Sequence, residues 1–376
     1  MRSELMEILT LDILNAVINS IKYSDLERYN SIKARVFLSL LIGKEIDETM
    51  VFKIFMASLL KEIGEIGGEN KGVYKSTEII RGIPEILPFQ YEIADIILES
   101  EERLDGSGAP SGKKEILKEA QIIGIVCDYL KNNDIEEMVE NKRKYNEKYL
   151  EVLKEILEME KNIKILRDEE ELEKVLRRNI KKYNVYKEKI EGVEEEQFLT
   201  TIASMIDAKD VYTGGHTKRV ASYSYLIAKE LNYSEEKLSK IRYAAYLHDI
   251  GKLAIDGEIL NKPGKLTKEE FEAIKLHAKY SFLILWDSPT LRQISFAALH
   301  HEKLDGTGYP MGFKKGWIPE GSQVIAIADI LDALTSNRSY RQPLTFNEAF
   351  KIMEEMVGIS FEKRLFEAAK ICFGVG

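Results

Sequence analysis

Leu299-His300-His301-Glu302-Lys303-Leu304-Asp305-Gly306-Thr307-Gly308-Tyr309-Pro310 has an upstream echo in Ser100-Glu101-Glu102-Arg103-Leu104-Asp105-Gly106-Ser107-Gly108-Ala109-Pro110. The leucine, aspartate, two glycines and proline keep their spacing, while the histidine pair and the tyrosine are replaced. Three more runs repeat on either side. Leu40-Leu41-Ile42-Gly43-Lys44-Glu45-Ile46 echoes Tyr225-Leu226-Ile227-Ala228-Lys229-Glu230-Leu231. Lys61-Glu62-Ile63-Gly64-Glu65 falls where His248-Asp249-Ile250-Gly251-Lys252 would. Gln121-Ile122-Ile123-Gly124-Ile125-Val126-Cys127 matches Gln323-Val324-Ile325-Ala326-Ile327-Ala328-Asp329. The separation grows from 185 residues at Leu40 and Tyr225 to 202 at Gln121 and Gln323, as small loop insertions would make it. Four matches in one order predict two copies of one domain.

The elements around these runs read as helices. Leu9 to Ile18 and Ala221 to Leu231 place apolar residues at i, i+3, i+4 spacing, and no sustained alternating pattern is found. Thr267-Lys268-Glu269-Glu270 reads as a capping box, and Ser234 as a plain N-cap followed by acids. A short hairpin over Phe313 to Ile318 is the one candidate for extended structure. The expected class is all-α, with two helical bundles joined by long helices. Residues 1–132 form the first copy and residues 196–376 the second. The connector, residues 133–195, is dense in Lys and Glu, and glycine and proline are absent from Asn132 to Ile190. One or two long helices are expected there. A dimer seam and a helical hairpin packed on its own chain both fit that pattern.

Composition narrows the class of protein. The chain of 376 residues is 44% hydrophobic and lacks any apolar run near the roughly 18 residues of a membrane span. The first residues mix acids with apolar side chains, which makes a poor signal peptide. Two cysteines give no disulfide framework. A cytoplasmic protein with no membrane partner is expected. The net charge of −9 argues against binding DNA or RNA duplexes.

The five histidines are His216, His248, His277, His300 and His301, all in the second copy. That confinement suggests a metal site, and imidazole with carboxylate suits iron, manganese or zinc. Adjacent helical residues point about 100° apart, so His248 and Asp249 reach one cavity at different positions. His300 and His301 behave similarly at a helix end. With Asp329, seven donors are too many for one tetrahedral ion and suit a two-metal centre. Two ions roughly 3.5–4 Å apart are a standard device for phosphoester hydrolysis, with a bridging hydroxide as nucleophile. Lys252, one turn beyond His248, is placed to meet phosphate charge.

The first copy lacks these groups. Lys61 and Glu62 stand for His248 and Asp249, Ser100 and Glu101 for His300 and His301, and Cys127 for Asp329. It is expected to hold no such metal centre. Packing or dimerisation is the plainer role for it, and regulatory ligand binding the alternative.

At these residues the chain resembles a known family. His216 with His248-Asp249 is similar to the HD phosphohydrolase superfamily. His300-His301-Glu302, Asp305-Gly306, Gly308-Tyr309-Pro310 and Asp332-Ala333-Leu334-Thr335 resemble its HD-GYP branch, over about residues 196–345. The resemblance implies HD-type bundles, a bacterial phosphodiesterase for cyclic di-GMP or a related cyclic dinucleotide, and two divalent ions, iron first and manganese second. It implies that His216, His248, Asp249 and Asp329 hold one ion. Asp249, His277, His300 and His301 would hold the other, with Asp249 bridging. Lys252 would contact the scissile phosphate, and Tyr309, Arg338 and Arg341 match substrate-contacting positions. Members with a third metal carry a glutamate where this chain has Tyr212, which implies a binuclear site and linear pGpG as the main product. Two other readings stay open. One is a slow-turnover sensor or interaction protein, including a homodimer through the connector or the first copy. The other is a hydrolase of a different cyclic dinucleotide or nucleotide.

Overall fold

The structure, a computed structural model, describes residues 10–66, 72–82, 89–183, 193–210, 215–337 and 342–375. Every named element is helical, and the described residues contain no strand. Around Phe313 to Ile318 the sequence suggests a hairpin, but extended pairing there is limited to a single bridge between Asp305 and Lys314. No helix among the described residues is long and apolar enough to cross a membrane.

Packing divides the chain into two units, Met1–Ser24 with Glu195–Gly376, and Asp25–Glu194. The units do not divide at 132, and a division falls after Ser24 instead. Helix α1 (Thr10–Ser24) belongs with the C-terminal residues, because its apolar face finds its partners there. Ile13, Leu14, Val17 and Ile18 are buried. Tyr23 stacks on Tyr280 with ring centroids 5.2 Å apart, and Thr290 Oγ1 donates to Asp12 at 2.6 Å.

The Asp25–Glu194 unit contains α2 (Leu26–Ile46), α3 (Val51–Leu60), α4 (Gly72–Gly82), α5 (Gln90–Glu99) and α6 (Lys118–Asn132). Four helices follow where one or two long ones are expected: α7 (Ile135–Glu140), α8 (Glu147–Glu158), α9 (Glu160–Leu166) and α10 (Glu169–Tyr183). Side-chain caps restart the chain at three of these. Asp134 accepts from the Glu137 amide, Asn146 from the Tyr149 amide, and Asp168 from the Glu170 and Glu171 amides. Leu150, Leu153, Ile156 and Leu172 share a core with Ile42, Ile54 and Ile122, so this segment packs on its own unit rather than standing apart as a connector.

The other unit adds α11 (Val193–Lys209), α12 (His216–Glu230), α13 (Glu235–Leu247), α14 (Gly257–Leu260), α15 (Lys268–Asp287), α16 (Glu320–Thr335), α17 (Phe346–Glu354) and α18 (Lys363–Cys372). Ser234 caps α13, and Thr267 with Glu270 forms the capping box of α15. Helix α12 packs on α13 and α16. Helix α15 packs on the 3₁₀ segments Ile250–Ala254 and Arg292–Leu299, and α1 packs on α15 and Ile250–Ala254.

The two units repeat the same local bonds. Glu102 accepts from the Ser111 and Lys113 amides at 2.7 and 3.0 Å; Glu302 accepts from Met311 and Phe313 at 2.6 and 2.9 Å. The Ala109 amide donates to Glu101 O at 3.0 Å, and the Tyr309 amide to His301 O at 3.2 Å. Both loops end in a cis proline, Pro110 and Pro310. The Gly64 amide donates to Ser76 Oγ at 3.0 Å, and the Gly251 amide to Ser281 Oγ at 2.8 Å. A Cβ on Gly64 would lie 2.3 Å from Ser76 N, and one on Gly251 2.0 Å from His277 O. Only glycine permits that approach.

Candidate metal centre

Short stretches of helix end carry most of the site. His248 closes α13, and Asp249 opens the turn at Ile250–Ala254. His216 is the first residue of α12, His300 closes Arg292–Leu299, His277 sits within α15 and Asp329 within α16. The close contact at Gly251 sets the turn bearing Asp249 and Lys252 directly against the backbone of His277.

These residues converge. The donor atoms form two groups, one of His216, His248 and Asp249, the other of Asp249, His277, His300 and His301, each within 4.8 Å. Asp249 belongs to both. Its Oδ2 lies 3.3 Å from His248 Nε2, and its Oδ1 lies 3.3 Å from His277 Nε2 and 3.7 Å from His300 Nε2. Asp329 Oδ1 lies 3.3 Å from His216 Nε2. Donors about 2.1 Å from one ion, at right angles, would stand roughly 3 Å apart.

The tautomers are set by the outer ring nitrogens. Nδ1 of His248, His277 and His300 donates to Ala245 O, Ile274 O and Ala297 O, each at 2.7 Å. A carbonyl only accepts, so Nδ1 carries the hydrogen and, in the neutral ring, Nε2 presents a lone pair to the cavity. His248 Nε2, His277 Nε2, His300 Nε2 and Asp249 Oδ1 are buried with no hydrogen-bond partner. Buried acceptors left without a partner are costly, and a cation would satisfy all four. The residues therefore fit a metal centre.

Charge in the cavity is strongly organised. Burial works against ionising Asp249, yet His248 and Lys252 hold its carboxyl well below the usual range. Asp329 is also lowered, since His216 outweighs its burial. Burial opposes charge on His216, but hydrogen bonds with Asp329 and Asp332 raise it to about 10. Burial, reinforced by His248, pushes His300 down to about 4, and burial with His300 holds His301 well below the ordinary imidazole value. His300 and His301 are thus neutral imidazoles at neutral pH.

Lys252 Nζ lies 2.8 Å from Asp249 Oδ2 and 3.0 Å from Asp210 Oδ2. Tyr309 stacks on His301 with centroids 4.7 Å apart, and burial followed by Asp249 and Asp329 raises its phenol pKa. Arg338, Arg341 and Tyr212 lie outside the described residues. Two residues gain a place that the sequence reading did not assign. Asp210 holds Lys252. Asp332 accepts from His216 Nδ1 at 2.7 Å, from Arg219 and, at 2.9 Å, from Ser336 Oγ. Its only sequence signal is the Asp332–Thr335 run.

In the Asp25–Glu194 unit, ion pairs stand at the corresponding positions. Glu62 pairs with Arg35 and, at 2.7 Å, with Arg28; Lys61 pairs with Glu101 at 2.8 Å.

Comparison with known proteins bears on residues 200–365, which match the HD domain family. A 3′3′-cGAMP-specific phosphodiesterase of Vibrio cholerae is 43% identical over 176 residues, 46% of this chain and 38% of that protein. A cyclic di-GMP phosphodiesterase of Thermotoga maritima is 41% identical over 182 residues, 46% of this chain and 50% of that protein. The matches thus span half or less of the length of these relatives. A solved cyclic GMP-AMP-specific phosphodiesterase of V. cholerae superposes with a TM-score of 0.64 at 22% identity, covering 98% of both chains, which is a likeness of fold. Residues 200–365, which carry the paired His-Asp groups and the His300–Pro310 run, are thus the part of the chain that matches the HD domain family.

Proposed function

We propose that this protein is a metal-dependent phosphodiesterase that opens a cyclic dinucleotide, with cyclic di-GMP as substrate and linear pGpG as main product. The observation that carries the reading is the pair of donor groups sharing Asp249, with four buried donor atoms left without a hydrogen-bond partner. His216, His248, Asp249 and Asp329 would hold one divalent ion. Asp249, His277, His300 and His301 would hold the other. Iron is the first candidate and manganese the second. When bound, such ions lower the pKa of water and neutralise phosphate charge.

The chain's own residues then have distinct tasks. Asp249 directs one oxygen to each donor group. Lys252, held between Asp249 and Asp210, offers a fixed ammonium to a phosphate entering the cavity. Tyr309, with its pKa raised, stays a neutral phenol able to donate to a phosphate or base. Arg338 and Arg341 are assigned to the substrate on the family pattern alone.

A second substrate, 3′3′-cGAMP, is favoured by the name of the 43% identical relative from V. cholerae. The first half of the chain we read as a degenerate copy of the second, on the recurring loop and glycine bonds. The ion pairs of Lys61 and Glu62 take the place of ligands in it.

The test is an anaerobic preparation of the full chain, analysed for metal and assayed on both dinucleotides with separation of the products. About two equivalents of metal and release of pGpG are expected. Asp249→Ala should carry no metal at all. A preparation loaded with metal that cleaves neither substrate would end the phosphodiesterase reading.

A further inference from the structure

The four histidines whose Nδ1 contacts are resolved are not held alike. His248, His277 and His300 each rest on the neutral carbonyl three residues earlier. His216 alone among them rests on a carboxylate, Asp332, 2.7 Å from its Nδ1. Asp332 is only 1% exposed and is itself fixed by Arg219 and Ser336. A carboxylate behind an imidazole fixes its orientation and strengthens it as a donor.

The charges follow the same division. Around the His216 group stand Asp249, Asp329 and Asp332, with Asp210 behind Lys252; the cations Lys252 and Arg219 answer two of these four. The His277 group has Asp249, which it shares, and otherwise three imidazoles. One side of the centre is therefore richer in negative charge and more tightly oriented than the other.

We infer that Asp332 is a positioning residue that makes the His216 side the tighter metal position, so that this side fills first and the His277, His300, His301 side exchanges. The inference rests on the metal-centre reading given above. It needs no contact between Asp332 and the ion, because the carboxylate acts through His216.

The experiment titrates Mn²⁺ into the metal-free full chain by calorimetry, with thermal unfolding of the metal-free protein as the folding control. The wild type should show two unequal binding steps. Asp332→Asn keeps the shape and one oxygen acceptor but removes the charge. It should weaken the tight step about 10–100-fold, the usual scale for outer partners of metal ligands, and leave the weak step in place. His301→Ala should do the reverse. Should Asp332→Asn fail to fold, Arg219→Gln is read instead; it loosens Asp332 and should weaken the same tight step. Equal steps in the wild type would overturn the inference. So would a tight step that survives Asp332→Asn and Arg219→Gln, or one lost in His301→Ala. A wild type that binds no Mn²⁺, Fe²⁺ or other divalent ion would overturn the metal-centre reading along with it.

Discussion

Lys252 is the only lysine or arginine with its charged atom within hydrogen-bond distance of Asp249 among the described residues, and burial would normally strip its proton. Asp249 and Asp210 prevent that, so it stays an ammonium across the neutral range. Charge building on a phosphoryl group would meet a cation already in place, a stabilisation larger in the transition state than in the bound substrate. Lys252→Ala should lower kcat by about 10²–10³-fold, the scale for losing one such donor. Metal content should hold, since an ammonium is not a ligand; both are measured on one preparation. Full turnover with full metal would remove Lys252 from the chemistry. At this scale the donors were legible because histidine is rare in the chain and the five are confined to one stretch. Asp210 and Asp332 were not, because the chain holds 63 acidic residues and nothing local separates these two from the rest. Their meaning comes from helices that meet only in the fold.

Among the elements, the turn at Ile250–Ala254 and helix α15 are locked by contact through Gly251. Gly251→Ala must push His277 away from Asp249. A cost of roughly 1–3 kcal/mol is expected, as for other overpacking, together with loss of metal. Gly64→Ala is the matched control. Its Cβ would meet the backbone of Lys75 and Ser76, so stability should fall while metal content is kept. Thermal unfolding and metal analysis of the two variants read this out, and a metal-replete Gly251→Ala would contradict it. Element type was largely legible, since the helical periods and the caps at Ser234 and Thr267 are local signals. The segment after Asn132 was not. The absence of glycine and proline argued for long helices, yet Asp134, Asn146 and Asp168 interrupt them by capping. An Asx residue reads as a cap only when the backbone before it is extended, and that is decided by packing.

For the whole molecule, the two units should respond differently to acid. In the Asp25–Glu194 unit burial disfavours a charged Glu62, but Arg35 and Arg28 hold its pKa below the ordinary 4.5. A carboxyl lowered on folding adds stability above its unfolded pKa, and that share is lost as pH falls through the folded value. Acid unfolding of this unit should thus begin below about pH 4.5, and Glu62→Gln should flatten the pH dependence there. An unchanged acid limb would show that the pair contributes nothing. The recurrence of the glycine loop was legible at this scale, because its residues and its bonds survive where the histidines do not. The allegiance of α1 was not. An amphipathic helix states that it needs an apolar partner without stating which one.

That allegiance governs the order of events during synthesis. Helix α1 leaves the ribosome before the Asp25–Glu194 unit, but Ile250–Ala254 and α15, against which it packs, come more than two hundred residues later. At about 5–20 residues per second, its apolar face waits on the order of ten seconds or longer for cover. The Asp25–Glu194 unit has a hydrophobic core of its own and can close during that interval. The His and Asp residues of the candidate site consequently come together only after the Asp25–Glu194 unit has been made, and a nascent chain stalled before α15 would leave the apolar face of α1 uncovered.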